Sequence, residues 1–253
     1  MLSIDLNCDM GEGSGAQDSA NDERVMPLIT SANIACGFHA SDPRLMARTV
    51  RLAVQHRVAV GAHPSYPDLV GFGRRAMELT PEEVEADVTY QVGALWAFCR
   101  AEGVQLHHVK AHGALYNKAA VDLATARAIA TAIRKVDSAL IMVCLSNSAM
   151  VAAAAESGIP YVEEAFADRA YTRDGKLVPR SQKGAVLHDP AAIAERVERM
   201  VRQQIVVAED GSTVPLHPDT ICVHGDTPGS YEMLTAIHHR LEAGGIALKA
   251  FAR

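Results

Sequence analysis

The feature of this sequence that most constrains its fold is the regular alternation of short apolar runs with longer amphipathic segments. Such alternation is typical of βα units whose strands form a mainly parallel sheet. The runs that predict strands are residues 3–8, 33–37, 59–63, 107–112, 140–145, 161–167, 220–224 and 247–251. Because eight strand candidates alternate with helices, we expect an α/β fold whose sheet closes into an irregular (β/α) barrel.

The helices between these runs begin at recognisable capping signals. Thr80-Pro81-Glu82-Glu83 is a capping box with proline at the first helical position. Asp42-Pro43, Asp189-Pro190 and Thr227-Pro228 repeat the combination of a capping oxygen and a proline. The helix after Thr80 is expected to end at Gly103 and to bury one face, formed by Val84, Val88, Val92, Leu95, Trp96 and Cys99.

Two segments depart from the βα rhythm. Residues 168–187 contain the turn signal Arg173-Asp174-Gly175-Lys176 between short extended pieces, which predicts a hairpin excursion. Residues 209–215 predict a second, smaller one. No linker, low-complexity segment or long repeat is visible, so we expect one domain over residues 1–253.

Composition narrows the class of protein. The chain has 253 residues, with 24 Lys and Arg against 30 Asp and Glu and no basic run, so nucleic acid is not an expected partner. No run approaches the roughly 18 apolar residues of a membrane span, and an acidic residue at position 5 argues against a signal peptide. We therefore expect a cytoplasmic protein. Its five cysteines form no CxxC pair and predict reduced thiols that mainly fill the core.

Polar side chains fall at the ends of the predicted strands. The carboxyl ends of parallel strands meet on one face of a barrel, so these residues are expected to converge in an active site. Some of them could instead only cap the turns after their strands. The residues concerned are Asn7, Asp9, His39, His63, His112 and His224.

Cationic residues accompany this set. Arg74 and Arg75 follow a glycine-rich turn, where they are expected either to clamp a carboxylate or phosphate or to form a solvated charge pair. Lys110 lies on an apolar run shortly before Tyr116 and Asn117. Because burying an unpaired ammonium is costly, we expect Lys110 to have an anionic partner or a catalytic role.

Two further motifs leave alternatives open. Asp168, Arg169 and Tyr171, with Arg180 nearby, are expected to supply a second anion contact or a salt bridge that orders the loop. In His224-Gly225-Asp226, the carboxylate could serve a metal, orient His224 or only help to start the next helix. The remaining histidines without polar companions are expected at the surface or in packing roles: His56, His188, His217, His238 and His239.

Several familiar nucleotide and hydrolase motifs are absent. The sequence has no GxxxxGK[ST] loop, no GxGxxG after a strand, no GxSxG and no HExxH. Any use of ATP must therefore involve an unfamiliar site or another chain.

The polar motifs together resemble the LamB/YcsF family. They are DLNCDMGEG, SANIACGFHASDP, GAHPSYPDLVGFGRR, HVKAHGALYN, FADRAY and ICVHGDTPGS, and they occur in the same order from about residue 5 to residue 230. The resemblance implies one component, the A subunit, of an ATP-dependent 5-oxoprolinase, which opens 5-oxo-L-proline to L-glutamate together with subunits B and C. It also implies an irregular barrel of the glycoside hydrolase and deacetylase type. Metal-dependent proteins of that type use an Asp and two His, for which Asp9, His39 and His63 are the candidates.

The resemblance suggests a division of labour in which the partner subunits phosphorylate the lactam and this chain opens the activated ring. Asp9 or His63 would be the general base, while Lys110 and His112 would stabilise developing negative charge. The expected substrate contacts are Asn7, Glu12, His39, Arg74, Arg75, Asn117, Arg169, Tyr171, His224 and Asp226.

Two other functions remain open at this point. A stand-alone, metal-dependent amidohydrolase or deacetylase would use the Asp and His set without ATP. A non-catalytic subunit would only bind a ligand and deliver it to partners, although the density of titratable groups at strand ends argues against this. Whether copies of the chain assemble with one another is also open.

Overall fold

The computed structural model describes residues 2–13, 16–225 and 229–252. Strands and helices alternate along the chain as the sequence predicts. The strands are β1 (Ser3–Met10), β2 (Ser31–Ala35), β3 (Ala59–His63), β4 (Leu106–Val109), β5 (Ile141–Leu145), β6 (Tyr161–Phe166), β7 (Ile205–Val207), β8 (Thr213–Pro215), β9 (Thr220–Val223) and β10 (Ala247–Leu248). The α-helices are α1 (Ala16–Val25), α2 (Pro43–His56), α3 (Pro81–Ala101), α4 (Gly113–Val121), α5 (Leu123–Val136), α6 (Ala149–Ser157), α7 (Pro190–Gln203) and α8 (Ser230–Ala243).

Among the described residues, seven parallel strands close a barrel in the order β1-β2-β3-β4-β5-β6-β9, with β9 pairing back onto β1. The predicted α/β barrel is confirmed, but the eighth strand candidate is not part of the ring. Strand β10 pairs only with Ser3 and Ile4 of β1, whereas β2 pairs with β1 from Asn7 onward. The start of β1 therefore extends past β2, and β10 pairs with the backbone N–H and C=O groups that β2 does not reach.

The capping predictions are confirmed where the structure describes them. Thr80 accepts a hydrogen bond from the Glu83 amide, and the Glu83 carboxylate accepts one from the Thr80 amide. Asp42 and Asp189 cap α2 and α7 in the same way. The predicted cap at residues 227–228 lies outside the described residues. Trp96, expected on the buried face of α3, is 40% exposed and lies beneath the Arg100 guanidinium.

The segment after β6 makes antiparallel bridges between Arg169 and Val186 and between Tyr171 and Leu177. Gly175 turns the chain with a φ of +75°, which a side chain would disfavour. Strands β7 and β8 pair as a second antiparallel hairpin. No helix within the described ranges is long and apolar enough to cross a membrane.

Strand β1 shows how side chains divide between the two faces of the barrel wall. Asp5, Asn7 and Asp9 share one face because residues two apart in a strand point the same way. The Asn7 side chain donates to Thr220 on β9 and to Glu164 on β6, so this face points into the barrel. The alternate residues of β1, all in the apolar core, are Ile4, Leu6, Cys8 and Met10. The inner face is thus polar, unlike the branched apolar layers that usually fill a (β/α) barrel.

At the amino-terminal end of the barrel, the buried polar side chains form hydrogen bonds with one another. Asp5 accepts hydrogen bonds from the hydroxyls of Thr30, Ser31 and Thr220. Burial raises the pKa of Asp5 to about 6, although these three hydrogen bonds oppose the shift. We call this lower part of the interior, together with Asn7, the lower network.

One glycine makes room for a ring inside the barrel. A Cβ at Gly61 would lie 2.0 Å from His108 Nε2, so a side chain at this position would collide with the imidazole. The same His108 nitrogen bonds to Asn33 Oδ1 at 2.9 Å. His108 therefore faces the interior and extends the lower network. Five free cysteines are all buried, as predicted.

Candidate active site

A pocket of about 520 Å³ opens at the carboxyl ends of the barrel strands. Five of the polar residues expected there do meet in its lining: Asp9, His63, Lys110, His112 and His224. They come from four different strands or the turns that follow them, as the barrel topology requires. Lys110 and His112 lie beyond the end of β4, which is shorter than predicted because His112 already caps α4.

Lys110 is the buried cation of this pocket, and it has several partners. Its Nζ lies 2.8 Å from Glu164 Oε1, 3.1 Å from Asp9 Oδ1 and 3.2 Å from Asn7 Oδ1. Burial acts to lower the pKa of Lys110, but the neighbouring anions outweigh it and hold the pKa well above its ordinary value. The side chain is therefore an ammonium ion whose charge is balanced mainly by two carboxylates.

Asp9 joins the lower network to the pocket. Its Oδ1 accepts from Lys110 and from Asn33 Nδ2 at 3.0 Å, while its Oδ2 lies 3.4 Å from His63 Nε2. Burial acts to raise the pKa of Asp9, but His63 and Lys110 hold it well below its usual value. Asp9 is thus a carboxylate with one oxygen fixed by the protein and the other directed towards His63.

The protonation of His63 and His112 follows from the groups behind them. His63 Nδ1 lies 2.7 Å from the Lys110 carbonyl, and His112 Nε2 lies 2.8 Å from the Phe72 carbonyl. Because a carbonyl oxygen only accepts, both of these nitrogens carry a proton. The opposite nitrogens, His63 Nε2 and His112 Nδ1, lie 3.0 Å apart. Two lone pairs this close repel, so the geometry requires either a shared proton or a cation between them.

Glu12 completes a set that fits a divalent metal ion. Its Oε1 lies 3.3 Å from His112 Nδ1 and 3.8 Å from His63 Nε2. Nitrogen and oxygen ligands of tetrahedral zinc lie about 3.3 Å from one another. Burial and the neighbouring histidines His39 and His63 lower the pKa of His112 well below its usual value, which disfavours the shared proton. Imidazoles held from behind by carbonyls are also the usual arrangement of metal ligands.

The position of His39 differs from the one expected for a metal ligand. Its ring stacks in parallel on His112 at 3.8 Å, so the in-plane lone pairs of the two rings cannot converge on one ion. Its Nε2 instead lies 2.9 Å from Glu12 Oε1 and orients that carboxylate. The structure therefore favours Glu12, His63 and His112 over the predicted set of Asp9, His39 and His63, with Asp9 beside the ligands.

A second group of potential ligands, Asp9, Cys222 and His224, fits a metal poorly. Cys222 Sγ lies 3.1 Å from Lys110 Nζ, and burial raises the pKa of its thiol well above the ordinary value. A metal here would meet the ammonium ion and a thiol that resists deprotonation.

His224 lies within 4.8 Å of the ligand atoms of Asp9 and Cys222 and is held by a carboxylate instead of a carbonyl. Its Nδ1 lies 2.9 Å from Asp168 Oδ1 and 3.0 Å from Oδ2. Its ring stacks on Phe166, with centroids 5.3 Å apart. Burial acts to raise the pKa of Asp168, but His224 and Arg180 outweigh it and keep the pKa below its usual value.

Cationic side chains surround the pocket mouth. Arg74, Arg169, Lys176 and Arg180 all belong to its lining, as does Asn117. Arg169 donates hydrogen bonds to the carbonyls of Val178 and Ala185, which fixes it within the excursion after β6. Carbonyls do not neutralise its positive charge, so this wall is suited to an anion.

Other expected contacts do not reach the pocket lining. Arg75 binds Asp68, and its side chain is 65% exposed. Tyr171 is fully buried, with its hydroxyl accepting from the Phe166 amide. Asn7 lies beneath Lys110 in the lower network, and Asp226 lies outside the described residues.

Comparison with known proteins agrees with the motifs. A model of the LamB/YcsF family matches residues 4–253. The chain belongs to the LamB/YcsF family. Two relatives, from Symbiobacterium thermophilum and Chloroflexus aggregans, are named as the A subunit of 5-oxoprolinase. Each is 53% identical to this chain over 98% of its length. The matched region covers 95% of the first relative and 99% of the second. The crystal structure of the lactam utilization protein from Thermus thermophilus matches with a TM-score of 0.93 at 50% identity, covering 99% of this chain and 100% of that one.

Two residues of this LamB/YcsF barrel, Glu164 and Asn33, were missed as site residues by sequence reasoning. Glu164 balances Lys110 and accepts from Tyr116 Oη at 2.7 Å, and Asn33 holds Asp9. Asp168, which the sequence placed with Arg169 and Tyr171, holds His224. One signal in the sequence could have identified Glu164. It lies two residues from both Val162 and Phe166 in a strand, so it is a charged residue on the same face as two apolar ones.

Proposed function

We propose that this chain is the A subunit of an ATP-dependent 5-oxoprolinase, which converts 5-oxo-L-proline to L-glutamate together with partner subunits B and C. The observation that carries the proposal is the 53% identity, over 98% of this chain, to proteins named as the A subunit of 5-oxoprolinase. The pocket supports it, because a buried carboxylate and histidines lie beneath a cationic mouth. Dependence on ATP would place the reaction in the cytoplasm.

The chemistry explains why ATP is needed. A five-membered lactam is a stabilised amide, so its carbonyl carbon is a poor electrophile and its nitrogen a poor leaving group. Transfer of a phosphoryl group from ATP to the lactam oxygen makes that carbon far more reactive towards water. Because the sequence lacks a phosphate-binding loop, we assign this transfer to the partner subunits and the attack of water to this pocket.

Within the pocket, Asp9 and His63 are placed to activate water. Asp9 Oδ2 and His63 Nε2 lie 3.4 Å apart, and both can accept a proton. Lys110 lines the pocket beside them and would stabilise negative charge on the attacked carbon's oxygen, with His112 close by. A metal ion held by Glu12, His63 and His112 would, when bound, add Lewis-acid polarisation and would leave Asp9 as the base, because His63 Nε2 would then be a ligand.

The cationic mouth would hold the two anionic groups of the activated substrate. Arg74, Arg169 and Arg180 line the pocket, and the substrate brings a carboxylate and a phosphoryl group. Guanidinium groups bind both in a bidentate manner.

Reconstitution tests this function directly. Glutamate formed from 5-oxoproline would be measured with this chain alone, with cognate subunits B and C alone, and with the mixture, each with and without ATP. We expect glutamate only in the mixture with ATP. Glutamate formation by this chain alone in proportion to ATP hydrolysed, or no activity in any combination, would contradict the proposal.

A second function is favoured by one observation, the placement of Glu12, His63 and His112. A metal-dependent amide hydrolase would use such a set without ATP. Metal content and the effect of a chelator on the purified chain distinguish the two functions. Hydrolysis of a simple amide that needs stoichiometric metal but no ATP would favour the hydrolase.

A further inference from the structure

His224 and Asp168 form a pair that the roles assigned above do not use. Asp168 has no exposed surface, and both of its carboxylate oxygens lie within 3.0 Å of His224 Nδ1. Because a carboxylate accepts, Nδ1 carries a proton, and Nε2 remains as the nitrogen that can exchange one with the pocket. The Phe166 ring fixes the plane of the imidazole.

We infer that His224, oriented by Asp168, donates the proton that turns the lactam nitrogen into a leaving group and so couples ATP hydrolysis to ring opening. The inference rests on the proposed function and adds a catalytic residue and a positioning residue to it.

The need for this proton follows from the activated substrate. Phosphorylation of the lactam oxygen, with loss of the N–H proton, gives a ring in which carbon is doubly bonded to nitrogen. Water adds across that double bond: its oxygen bonds to the carbon and keeps one proton as a hydroxyl, and the other proton passes by way of the base to the ring nitrogen, so the carbon then bears a hydroxyl, a phosphate and a ring N–H. Two bonds can break next, the one to phosphate or the one to nitrogen.

The two outcomes differ in what happens to the ATP. If the C–O bond to phosphate breaks, 5-oxoproline returns with an oxygen from water, and ATP has been hydrolysed without product. If the C–N bond breaks, the hydroxyl gives its proton to the base as the carbonyl forms and the nitrogen takes a second proton. The products are an amine and an acyl phosphate, which a second water hydrolyses to glutamate and phosphate. Phosphate leaves readily without help, whereas an amine leaves only after protonation. A proton donor at the nitrogen therefore selects the productive outcome.

The surroundings favour His224 over the other pocket histidines for this task. His63 and His112 have neutral carbonyls behind them, which leaves their inward nitrogens as lone-pair donors. His224 instead has a carboxylate behind it, as in catalytic dyads in which a buried carboxylate orients the histidine. A nitrogen of His224 lies within 4.8 Å of an Asp9 carboxylate oxygen, so an acid and a base can reach the same carbon.

The experiment uses the complete complex of this chain with its B and C subunits. His224→Gln and Asp168→Asn would be compared with wild type and with His217→Gln, which changes an exposed histidine. ADP and glutamate would be measured in the same samples, and 5-oxoproline recovered from reactions in H₂¹⁸O would be examined for ¹⁸O.

We expect wild type and His217→Gln to form about one glutamate per ADP. For His224→Gln, glutamate formation should fall roughly 100-fold or more, as expected for a lost proton donor, while ADP formation falls much less. The ratio of ADP to glutamate should therefore rise at least about tenfold, and recovered 5-oxoproline should contain ¹⁸O. Asp168→Asn should shift both readouts in the same direction by a smaller factor.

A purely structural role predicts another result. ADP and glutamate would then fall in proportion in both variants, with no ¹⁸O in recovered 5-oxoproline, and this would overturn the inference. His224→Gln replaces a side chain in the pocket lining with one that can still donate to Asp168, so it tests the inference even if Asp168→Asn folds poorly. Absence of ATP-dependent glutamate formation in wild type would instead overturn the proposed function, and the inference with it.

Discussion

The barrel interior has two regions that use the same residue types differently. Around Asp5 and Asn7, in the lower network, the polar atoms bond mainly to other side chains of the protein. Around Asp9, His63 and His224, each side chain is fixed by one atom and presents another to the pocket. The difference shows that the partner behind a side chain, more than its residue type, decides whether it supports the structure or takes part in chemistry.

The largest expected effect is at Asp9, in the upper region. Asp9→Asn should lower glutamate formation in the complete complex by about 10² to 10⁴, because it removes the proton acceptor next to His63. Because Asp9 also balances the buried Lys110, the free energy of unfolding of the purified chain should fall by about 3 kcal/mol or more, so activity is compared per amount of folded protein. Exposed Glu195, changed to Gln, is the control. Loss of activity that only parallels loss of folded protein would remove the distinction between the two regions.

Glu164 tests the junction between the regions. Glu164→Gln leaves Lys110 buried with one carboxylate fewer, and breaking a buried ion pair costs about 3 kcal/mol or more. Glu156→Gln removes an exposed carboxylate that pairs with Arg127, for which we expect less than about 1 kcal/mol. Urea denaturation of both variants measures the contrast. Equal costs would show that the buried network contributes no more than a surface pair.

Asp5 tests the lower network through pH. Its folded-state pKa of about 6 exceeds the ordinary value of 3.8, so the folded state binds this proton more tightly than the unfolded chain does. The free energy of unfolding should therefore decrease as pH rises from about 4 to about 6, by on the order of 3 kcal/mol at 1.36 kcal/mol per pH unit. Asp5→Asn should lack this part of the pH dependence. Urea titrations of both proteins between pH 4 and pH 7 check it, and parallel curves would contradict it.

The smallest expected effect separates two neighbouring arginines. Arg74→Gln should raise the KM for 5-oxoproline in the complete complex by about 10- to 100-fold, the amount expected from one charge-assisted hydrogen bond. Arg75→Gln should change KM less than about twofold, because Arg75 pairs with Asp68 away from the pocket. Equal changes in KM would show that both guanidinium groups reach the substrate.

The features that the sequence predicted well are local ones. The capping box at Thr80 and the turn at Gly175 depend on residues a few positions apart, so the chain itself specifies them. Convergence of Asp9, His63 and His224 also followed, because parallel strands end on one face.

The features that sequence reasoning missed depend on pairing across the barrel. Glu164 and Lys110 meet only because β6 and the end of β4 lie on either side of β5 and both side chains point into a narrow ring, and no local signal gives that register. Arg75 was misplaced because Asp68, seven residues earlier, competes with the pocket for its guanidinium. The strand count was one too high because β10 has strand composition but pairs outside the ring.

The closure of the ring by β1 and β9 has a consequence for the synthesis of the chain. Leu6 and Ile221 are register partners although 215 positions separate them, so one edge of β1 has no strand to pair with until residue 220 and its neighbours have left the ribosome. Long-range pairing of this kind is slow, and unpaired strand edges attract other chains meanwhile. The first strand of this barrel is thus the earliest to be made and among the last to be fully paired, which identifies it as the segment most in need of a chaperone during expression.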